Sequence, residues 1–528
     1  MSDQPPPPPP PPGPDATASD GPGAHHGHAG PPHAPSPARP WKIATAVIAV
    51  LAVTGIVGTY LVMDARLSVT RDELSQTQRL LEEAESDNGL ADLLDGILGD
   101  DGTGSLDDLL GEGGLGDLLG DGSSDLGSLD PALFQCMSGG GFGTGLPEGD
   151  IEDQVATIQQ LITADRGFDT VDTVDIDFVT LEEVQRRAVD ISEADIDQDA
   201  ADADATILAA LGAIEPGADL VDLQLDALEG GVGGFYNPDT EQLVVGSEEL
   251  DGMGTYIAAH ELVHALTDAA FGLPDTVAIA DEQGADAAYA ALNAIEGDAS
   301  LYGQLFAAKH LTLTDLLGMQ TESDATSAAM DELPHFINRN LTFPYVEGMT
   351  FTCHIFLDGG WNAVDATYTD VPTTSAQILF PERYADGEDA VDVRDVVGPD
   401  NWEQVDSDTF GAADLLFLLE APGDDPDAAL SDPIDRVEAW AGGEVTAWRH
   451  GDESAVAVVL ADRGDAEHPL CQTVDEFYGA AFPAAQRSDA GGEITYQGEA
   501  RTAIVRCHNN EVALGVGPDI DAAEAAIG

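Results

Sequence analysis

An uncharged, mainly apolar stretch of 21 residues, Ile43–Met63, divides this chain of 528 residues into two very different parts. The stretch is long enough to cross a bilayer as one helix. About forty residues, mostly polar or Pro- and Gly-rich, precede it, and no small-residue cleavage site follows it. The sequence therefore predicts an uncleaved signal anchor, so that a folded core has to form on one side of a membrane.

The orientation of this anchor is predicted from the cysteines rather than from the flanking charge. Arginines lie on both sides of the stretch, so the positive-inside rule does not choose between the two directions. Four cysteines suit an oxidising compartment. We therefore expect a single-pass protein of the cell membrane, with a short tail inside and an extracytoplasmic main part.

Changes in composition along the chain predict six segments. Low-complexity Pro/Gly/His-rich sequence cannot build a core, and repeated Asp-Leu-Leu-Gly-like units favour a flexible acidic spacer. The predicted segments are a disordered tail (1–40), a transmembrane helix (43–63), a helical, weakly coiled-coil stalk (66–87), a low-complexity acidic Gly/Leu/Asp linker (88–148), a globular domain (149–390) and a C-terminal α+β unit (391–528).

The charge of the chain is extreme, with 99 acidic residues against 18 basic ones and a net charge of −81. Such a surface argues against nucleic-acid binding, which needs basic side chains to displace counterions. The acidity could serve high-salt solvation, an acidic partner-binding surface or calcium binding. Because the acidic residues occur in every later segment and lysine is almost absent, we favour a halophilic or salt-tolerant source.

The pentapeptide His260-Glu261-Leu262-Val263-His264 is the H-E-x-x-H pattern of zinc hydrolases. On a helix, residues four apart lie one turn above each other, so both imidazoles reach one Zn²⁺ ion. Glu261 then lies beside them, where a carboxylate can take a proton from water. The alternative is a helix that carries two surface histidines.

A catalytic zinc site needs a third protein ligand. Residues 281–294 are predicted to form a helix that leads into Glu296. A glutamate there could complete a His2Glu site, with Asp298 free to hydrogen-bond a ligand histidine. Spacing alone does not choose among the downstream acidic candidates, which are Glu282, Asp286, Glu296 and Asp298.

Several segments together resemble a family of bacterial, largely actinobacterial, zinc metallopeptidases of the gluzincin type. The resemblance covers about residues 150–460. One departure is Phe380, at a position where most members of that family carry histidine. The matching segments are GFYNPDTEQLVV (234–245), HELVHAL (260–266), DAAYAALNAIEGDA (286–299), FPYVEG (343–348), GGWNAVD (359–365) and PTTSAQILFPE (372–382).

The resemblance implies that Glu296 is the third zinc ligand and that the strand at 241–246 lies along the cleft and pairs with substrate backbone. It also implies hydrolysis by a zinc-activated water, with Glu261 as general base and then proton donor to the leaving amine. An oxyanion stabiliser is expected as well. The polar candidates are Tyr345, His335 and His354, and we favour Tyr345 because it lies in a matching segment.

The expected fold is α+β. It comprises a zincin-like metallopeptidase domain, mostly helical with a small sheet and an edge hairpin, and a small C-terminal α+β unit. The four cysteines allow three pairings, of which we expect Cys136–Cys353 and Cys471–Cys507. The predicted function is cleavage of a peptide or protein substrate. The alternative is a catalytically silent surface scaffold or binding protein that keeps the fold.

Overall fold

The structure is a computed structural model, and no helix in its described part is long and apolar enough to span a membrane. The predicted tail, transmembrane helix, stalk and most of the linker lie outside the described residues. The described residues are 131–137, 143, 145–146, 149–169, 173–247, 249–312, 314–316, 318–319, 330, 332–464 and 468–528.

The predicted mixed α+β class is confirmed, with helices dominating up to residue 385 and strands from residue 403 on. The elements up to residue 310 are α1 (Pro131–Met137), α2 (Ile151–Arg166), β1 (Ile176–Phe178), α3 (Leu181–Asp195), α4 (Gln198–Leu211), α5 (Leu220–Gly231), β2 (Gly234–Asn237), β3 (Gln242–Val245), α6 (Gly252–Phe271), α7 (Thr276–Gln283) and α8 (Ala285–His310).

The remaining elements begin with four helices and continue into a strand-rich part. They are α9 (His335–Gly359), α10 (Trp361–Ala366), α11 (Ser375–Leu379), α12 (Pro381–Ala385), β4 (Glu403–Thr409), α13 (Ala412–Glu420), α14 (Pro433–Val437), β5 (Trp440–His450), β6 (Glu453–Asp462), α15 (Leu470–Ala481), β7 (Gln486–Ala490), β8 (Glu493–Gln497), β9 (Thr502–His508), β10 (Glu511–Gly517) and α16 (Ile520–Ile527).

A small three-stranded sheet has the order β1-β3-β2. β2 and β3 form a hairpin whose turn lies at residues 238–241, with Gly234 opposite Val245. β3 also pairs in parallel with β1, where Ile176 lies opposite Leu243. Because both edges of β3 are taken by neighbouring strands, the expectation that the strand at 241–246 pairs with substrate is wrong.

Three long helices, α6, α8 and α9, form the centre of the helical part. α6 is buried along residues 252–267 and α8 along residues 285–304. A helix that is apolar on all sides is a central, enclosed helix. The single helix predicted for residues 281–294 is instead two helices, because Gly284, with φ of 94°, ends α7 before α8 begins.

The second sheet has seven strands in the order β4-β5-β6-β10-β9-β8-β7. Its inner face shares one hydrophobic core with the helical part. Val445 and Leu460 of this sheet belong to the same buried cluster as Phe343 of α9 and Ala290 of α8. The packing of the central helices therefore depends on residues from both halves of the described chain.

Both expected disulfides are confirmed. Cys136 of α1 bonds to Cys353 of α9, across 217 residues of sequence. Cys471 of α15 bonds to Cys507 of β9. The first bond fixes α1 against α8 and α9, where Leu133 and Met349 share a small apolar cluster with the two sulfurs.

Candidate metal centre

Three side chains from two helices converge on one point in the helical core. His260 Nε2 lies 3.2 Å from His264 Nε2. Glu296 Oε2 lies 3.3 Å from the first of these nitrogens and 3.4 Å from the second. Each of the three side chains is at most 1% exposed. This group could hold a metal ion.

α6 supplies the two histidines because they are four residues apart, one turn of helix. Asp251 caps the first turn of this helix by accepting a hydrogen bond from the Gly254 backbone N–H at 2.8 Å. The Nδ1 atoms of both histidines are buried and make no hydrogen bond. Both Nε2 atoms point to the shared centre, where they lie near each other and near Glu296 Oε2.

α8 carries Glu296 on its inner side, and a close helix crossing holds it there. A Cβ atom added at Gly297 would overlap the backbone carbonyl of Gly348, and one at Gly348 would overlap that of Asn293. Only glycines allow α8 and α9 to come this close. The crossing therefore brings α9 up to the face of α8 that bears the ligand.

The charges of the cluster favour a cation at its centre. The pKa of Glu296 is lowered, although burial opposes this, because the His264 charge and contacts with both imidazoles stabilise the carboxylate. The pKa of His264 is raised against its own burial by the neighbouring Glu296 charge. Burial lowers the pKa of His260. A buried carboxylate between two imidazoles is a set of donors that binds metal ions well.

Glu261 lies next to this cluster and is fully buried. Neither of its carboxylate oxygens makes a hydrogen bond of normal geometry. Burial raises the pKa of Glu261 to about 8, against the lowering effects of the His264 charge and of the nearby Tyr236 backbone N–H. A carboxylate held in this way is a candidate for proton transfer near neutral pH.

β2 lies directly over α6 beside this glutamate. A Cβ atom at Gly234 would come within 2.5 Å of Ile257 Cγ2 and within 3.4 Å of Glu261 Cγ. Glycine at this position is therefore what allows the strand to lie so near the helix. The Tyr236 hydroxyl also donates a hydrogen bond to Asp268 of α6 at 2.7 Å.

Tyr345 of α9 packs against the centre, with its ring stacked on His260 at 6.2 Å between ring centroids. Pro344 precedes it inside the helix and has no N–H to bond the Asn340 carbonyl. The Tyr289 hydroxyl of α8 donates to that carbonyl instead, at 2.7 Å. This bond satisfies the backbone just before the tyrosine.

The other two oxyanion candidates lie elsewhere. His335 Nε2 is 3.0 Å from Glu420 Oε2, at the start of α9. His354 follows Tyr345 by nine residues, which is roughly 13 Å along a helix axis. Of the three candidates, Tyr345 is therefore the one that the fold brings to a metal ligand.

The remaining acidic candidates are distributed as follows. Glu282 is exposed on α7. Asp286 accepts hydrogen bonds from the Ser375 backbone N–H and hydroxyl, which joins α8 to α11. Asp298 accepts hydrogen bonds from Arg166 and Tyr368, and neither ligand histidine donates to it, contrary to the expectation.

Arg166 and Tyr368 are two neighbours of the centre that the sequence pattern did not indicate. Arg166 ends α2, and the following Gly167 adopts the left-handed conformation that stops the helix. A basic residue at the last turn of an amphipathic helix is ordinarily solvated, so its burial here was not predictable. The one hint in the sequence was that basic residues are rare in this chain, which has 18 among 528 residues.

Comparisons with protein-family models, with curated proteins and with solved structures give no match for this chain. The functional assignment therefore depends on the residues of the site and on their geometry.

Proposed function

We propose that this protein is a zinc-dependent peptidase of zincin-like fold, related to the gluzincin-type family that its motifs resemble. The observation that carries the proposal is the convergence of His260, His264 and Glu296, with Glu261 beside them. A tetrahedral zinc with bonds of about 2.0 to 2.1 Å holds its ligand atoms about 3.3 to 3.4 Å apart. The observed separations of 3.2, 3.3 and 3.4 Å fit this arrangement.

The chemistry of the donors narrows the choice of metal. Calcium takes six to eight oxygen ligands and magnesium prefers oxygens too, so two imidazoles argue against both. Two histidines and one carboxylate also bind iron(II) in oxygenases. The separations of the three ligand atoms do not decide between zinc and iron(II). The adjacent carboxylate of Glu261, a base for attack by water, favours a hydrolytic zinc site.

His260, His264 and Glu296 would hold the zinc, which would lower the pKa of a bound water and polarise a substrate carbonyl. Glu261 accepts the proton of the attacking water and then passes it to the leaving amine. Its burial and raised pKa suit a group that must both take and give a proton. Tyr345, which stacks on His260, is the residue we assign to stabilising the oxyanion.

The substrate-binding strand that we assign is β2. On one side β2 pairs with β3, and no other described strand lies against its second edge. Its residues run past Glu261 over α6, so an extended peptide that adds to this edge would lie near the centre. Because the ligands and Glu261 are buried, admission of a peptide requires a local opening at this edge.

The proposed location is the outer face of a cell membrane, reached through one N-terminal helix. Two disulfides in the described chain support an oxidising compartment. The acidic composition supports a salty environment, because self-repulsion of this size is best tolerated when salt screens it.

Metal dependence of peptide cleavage tests the proposal. The full-length chain, purified in molar salt, should contain one zinc per chain and cleave casein or an unstructured peptide. A chelator should abolish cleavage, and zinc should restore it where magnesium and calcium do not. One bound zinc without cleavage of any peptide would favour the silent scaffold, and iron-dependent oxygen consumption would favour an oxygenase.

A further inference from the structure

A buried arginine lies behind the metal ligands and joins three parts of the fold. Arg166, at the end of α2, donates two parallel hydrogen bonds to Asp298 at 2.8 and 3.0 Å. It donates another to Asp365 of α10 at 2.7 Å. The Arg166 and Asp298 side chains are both fully buried. The Phe168 and Trp361 rings lie 4.9 and 4.5 Å from the guanidinium carbon.

The network reaches both helices that carry metal ligands. Asp298 follows Glu296 by two residues on α8. Tyr368 donates a hydrogen bond to Asp298 at 2.9 Å, and its hydroxyl also lies within reach of Thr267 on α6. Thr267 follows His264 by three residues. One cluster of polar contacts therefore holds α8 and α6 together just behind the three ligands.

Helix geometry explains how a contact at Asp298 controls Glu296. Residues two apart on a helix project about 200° from each other, so these two carboxylates leave α8 on nearly opposite sides. A two-pronged arginine contact fixes both the position and the rotation of the carboxylate that it binds. A clamp on one side of α8 therefore sets the direction in which Glu296 points on the other side.

We propose that Arg166 is a positioning residue of the metal centre, which holds Asp298 so that α8 presents Glu296 to the two histidines. The inference rests on the proposed metal centre and adds a residue that lies outside all of its motifs. Arg166 touches none of the three ligands, so it acts through Asp298 and through the rotation of α8.

Zinc affinity and the visible spectrum of the cobalt(II)-substituted protein test this role in the full-length chain. Arg166→Lys keeps the positive charge but loses the planar fork that grips a carboxylate. We expect zinc affinity, measured by competition with a chelator, to fall by about 10- to 100-fold, as for other partners that orient metal ligands. The cobalt spectrum should change because the coordination geometry loosens. Cleavage activity is not needed for either measurement.

Arg339→Lys is the matched control. Arg339 is mostly buried, pairs with two carboxylates (Glu347 at 2.6 Å and Glu420 at 2.8 Å) and lies over two aromatic rings. We expect this variant to lose thermal stability but to keep the wild-type zinc affinity and cobalt spectrum. An equal loss of affinity in both variants would show general destabilisation and overturn the proposal.

Two further variants distinguish the positioning role of Arg166 from the effect of its positive charge on zinc affinity. Removing a positive charge near a cation site would by itself strengthen zinc binding, so weaker binding by Arg166→Met points to positioning. Tyr368→Phe removes one hydrogen bond to Asp298 with little change of volume, and it should weaken zinc binding on the order of 10-fold. If the Arg166 variants do not fold, the zinc affinity of Tyr368→Phe tests the positioning role instead.

The outcomes also separate this inference from the proposed function. Wild-type affinity and spectrum in Arg166→Lys, or in Tyr368→Phe when that variant decides, would overturn the positioning role. A wild-type protein that binds neither zinc nor cobalt would overturn the role and the metal centre together. A wild-type protein that binds zinc without cleaving peptides would refute the peptidase alone, while the affinities of the variants would still test Arg166.

Discussion

A single buried carboxylate, Glu296, decides whether two histidines on α6 form a metal centre. Burying a charged group is costly unless a partner of opposite charge offsets the loss of hydration. Here the carboxylate lies against two imidazoles, which lower its pKa and favour its ionised form. A bound cation would neutralise this charge more completely than a proton shared among the three groups.

Replacement of the third ligand should therefore nearly abolish metal binding. Glu296→Gln removes the charge and keeps the size of the side chain. We expect its zinc affinity to fall by more than about 100-fold, since loss of an orienting partner alone costs 10- to 100-fold. Chelator competition measures this, and Glu282→Gln, on the exposed side of α7, should bind zinc like wild type. Equal affinities of Glu296→Gln and wild type would remove Glu296 from the site.

Tyr345→Phe should slow catalysis without releasing the metal. Loss of one donor to an oxyanion typically costs about 100- to 1,000-fold in kcat, so we expect a fall of that order with KM little changed. Steady-state kinetics on a peptide with the zinc-loaded chain checks this. The control is Tyr384→Phe, which also loses one hydrogen bond, from its hydroxyl to the Asp370 carbonyl. A kcat for Tyr345→Phe equal to that of the control would contradict the assigned role.

The convergence of His260 and His264 could be predicted from the sequence because four-residue spacing on a helix has a direct geometric consequence. Glu296 was indicated by the family resemblance and not by its spacing. Arg166 could not be predicted, because its partner Asp298 lies 132 residues further along the chain. Nothing in the local sequence marks an arginine that will be buried by a distant aspartate and two aromatic rings. Such contacts are set by tertiary packing alone.

At the scale of elements, the buried helix α6 and the hairpin before it follow from local patterns. The extent of α9 does not follow in the same way. Pro344 normally breaks a helix, yet α9 runs unbroken from His335 to Gly359, since Tyr289 of α8 bonds the carbonyl that the proline leaves free. The sequence around Pro344 does not show that a tyrosine on another helix will satisfy this carbonyl. The helix that carries Tyr345 was therefore not predicted as one element.

The disulfide between α1 and α9 should contribute more to stability than the one between α15 and β9. In the chain-entropy account, closing a loop of 217 residues stabilises by about 5 kcal/mol and one of 36 residues by about 4 kcal/mol. The double variant Cys136→Ser/Cys353→Ser should therefore unfold at a lower urea concentration than the double variant Cys471→Ser/Cys507→Ser. The reverse order would show that local packing outweighs loop length.

This bond also bears on how the protein should be studied. A shortened chain that began at residue 145 would lack Cys136 and leave Cys353 unpaired inside α9. It would also lose the apolar contacts of Leu133 with α8 and α9. The full-length chain is therefore the right material for every measurement of the metal centre.

On the scale of the whole molecule, the net charge of −81 is the dominant feature. Repulsion between exposed carboxylates opposes the compact state, and dissolved salt reduces it. The screening length falls from about 30 Å at 0.01 M salt to about 3 Å at 1 M. Within the described residues, many arginines pair with neighbouring acidic residues, as Arg187 does with Glu183 and Asp177.

We therefore expect the melting temperature and the activity to rise together between low and molar sodium chloride. Thermal unfolding followed by circular dichroism measures the first and peptide hydrolysis the second. Sucrose at equal osmolality is the control, because it stabilises by exclusion from the surface and does not screen charge. If sucrose matched the effect of salt, or if salt had none, the surface charge would not be an adaptation to salt.

The central claim is that this chain cleaves peptide bonds at a metal site with Glu261 as the general base. The most direct test measures zinc content and peptide cleavage together, in molar salt, for the full-length wild type, Glu261→Gln and the exposed control Glu282→Gln. We predict one zinc per chain in all three proteins and cleavage in the wild type and the control, with Glu261→Gln reduced at least about 100-fold. Cleavage by Glu261→Gln at the wild-type rate, or zinc-loaded wild type with no cleavage, would contradict the account.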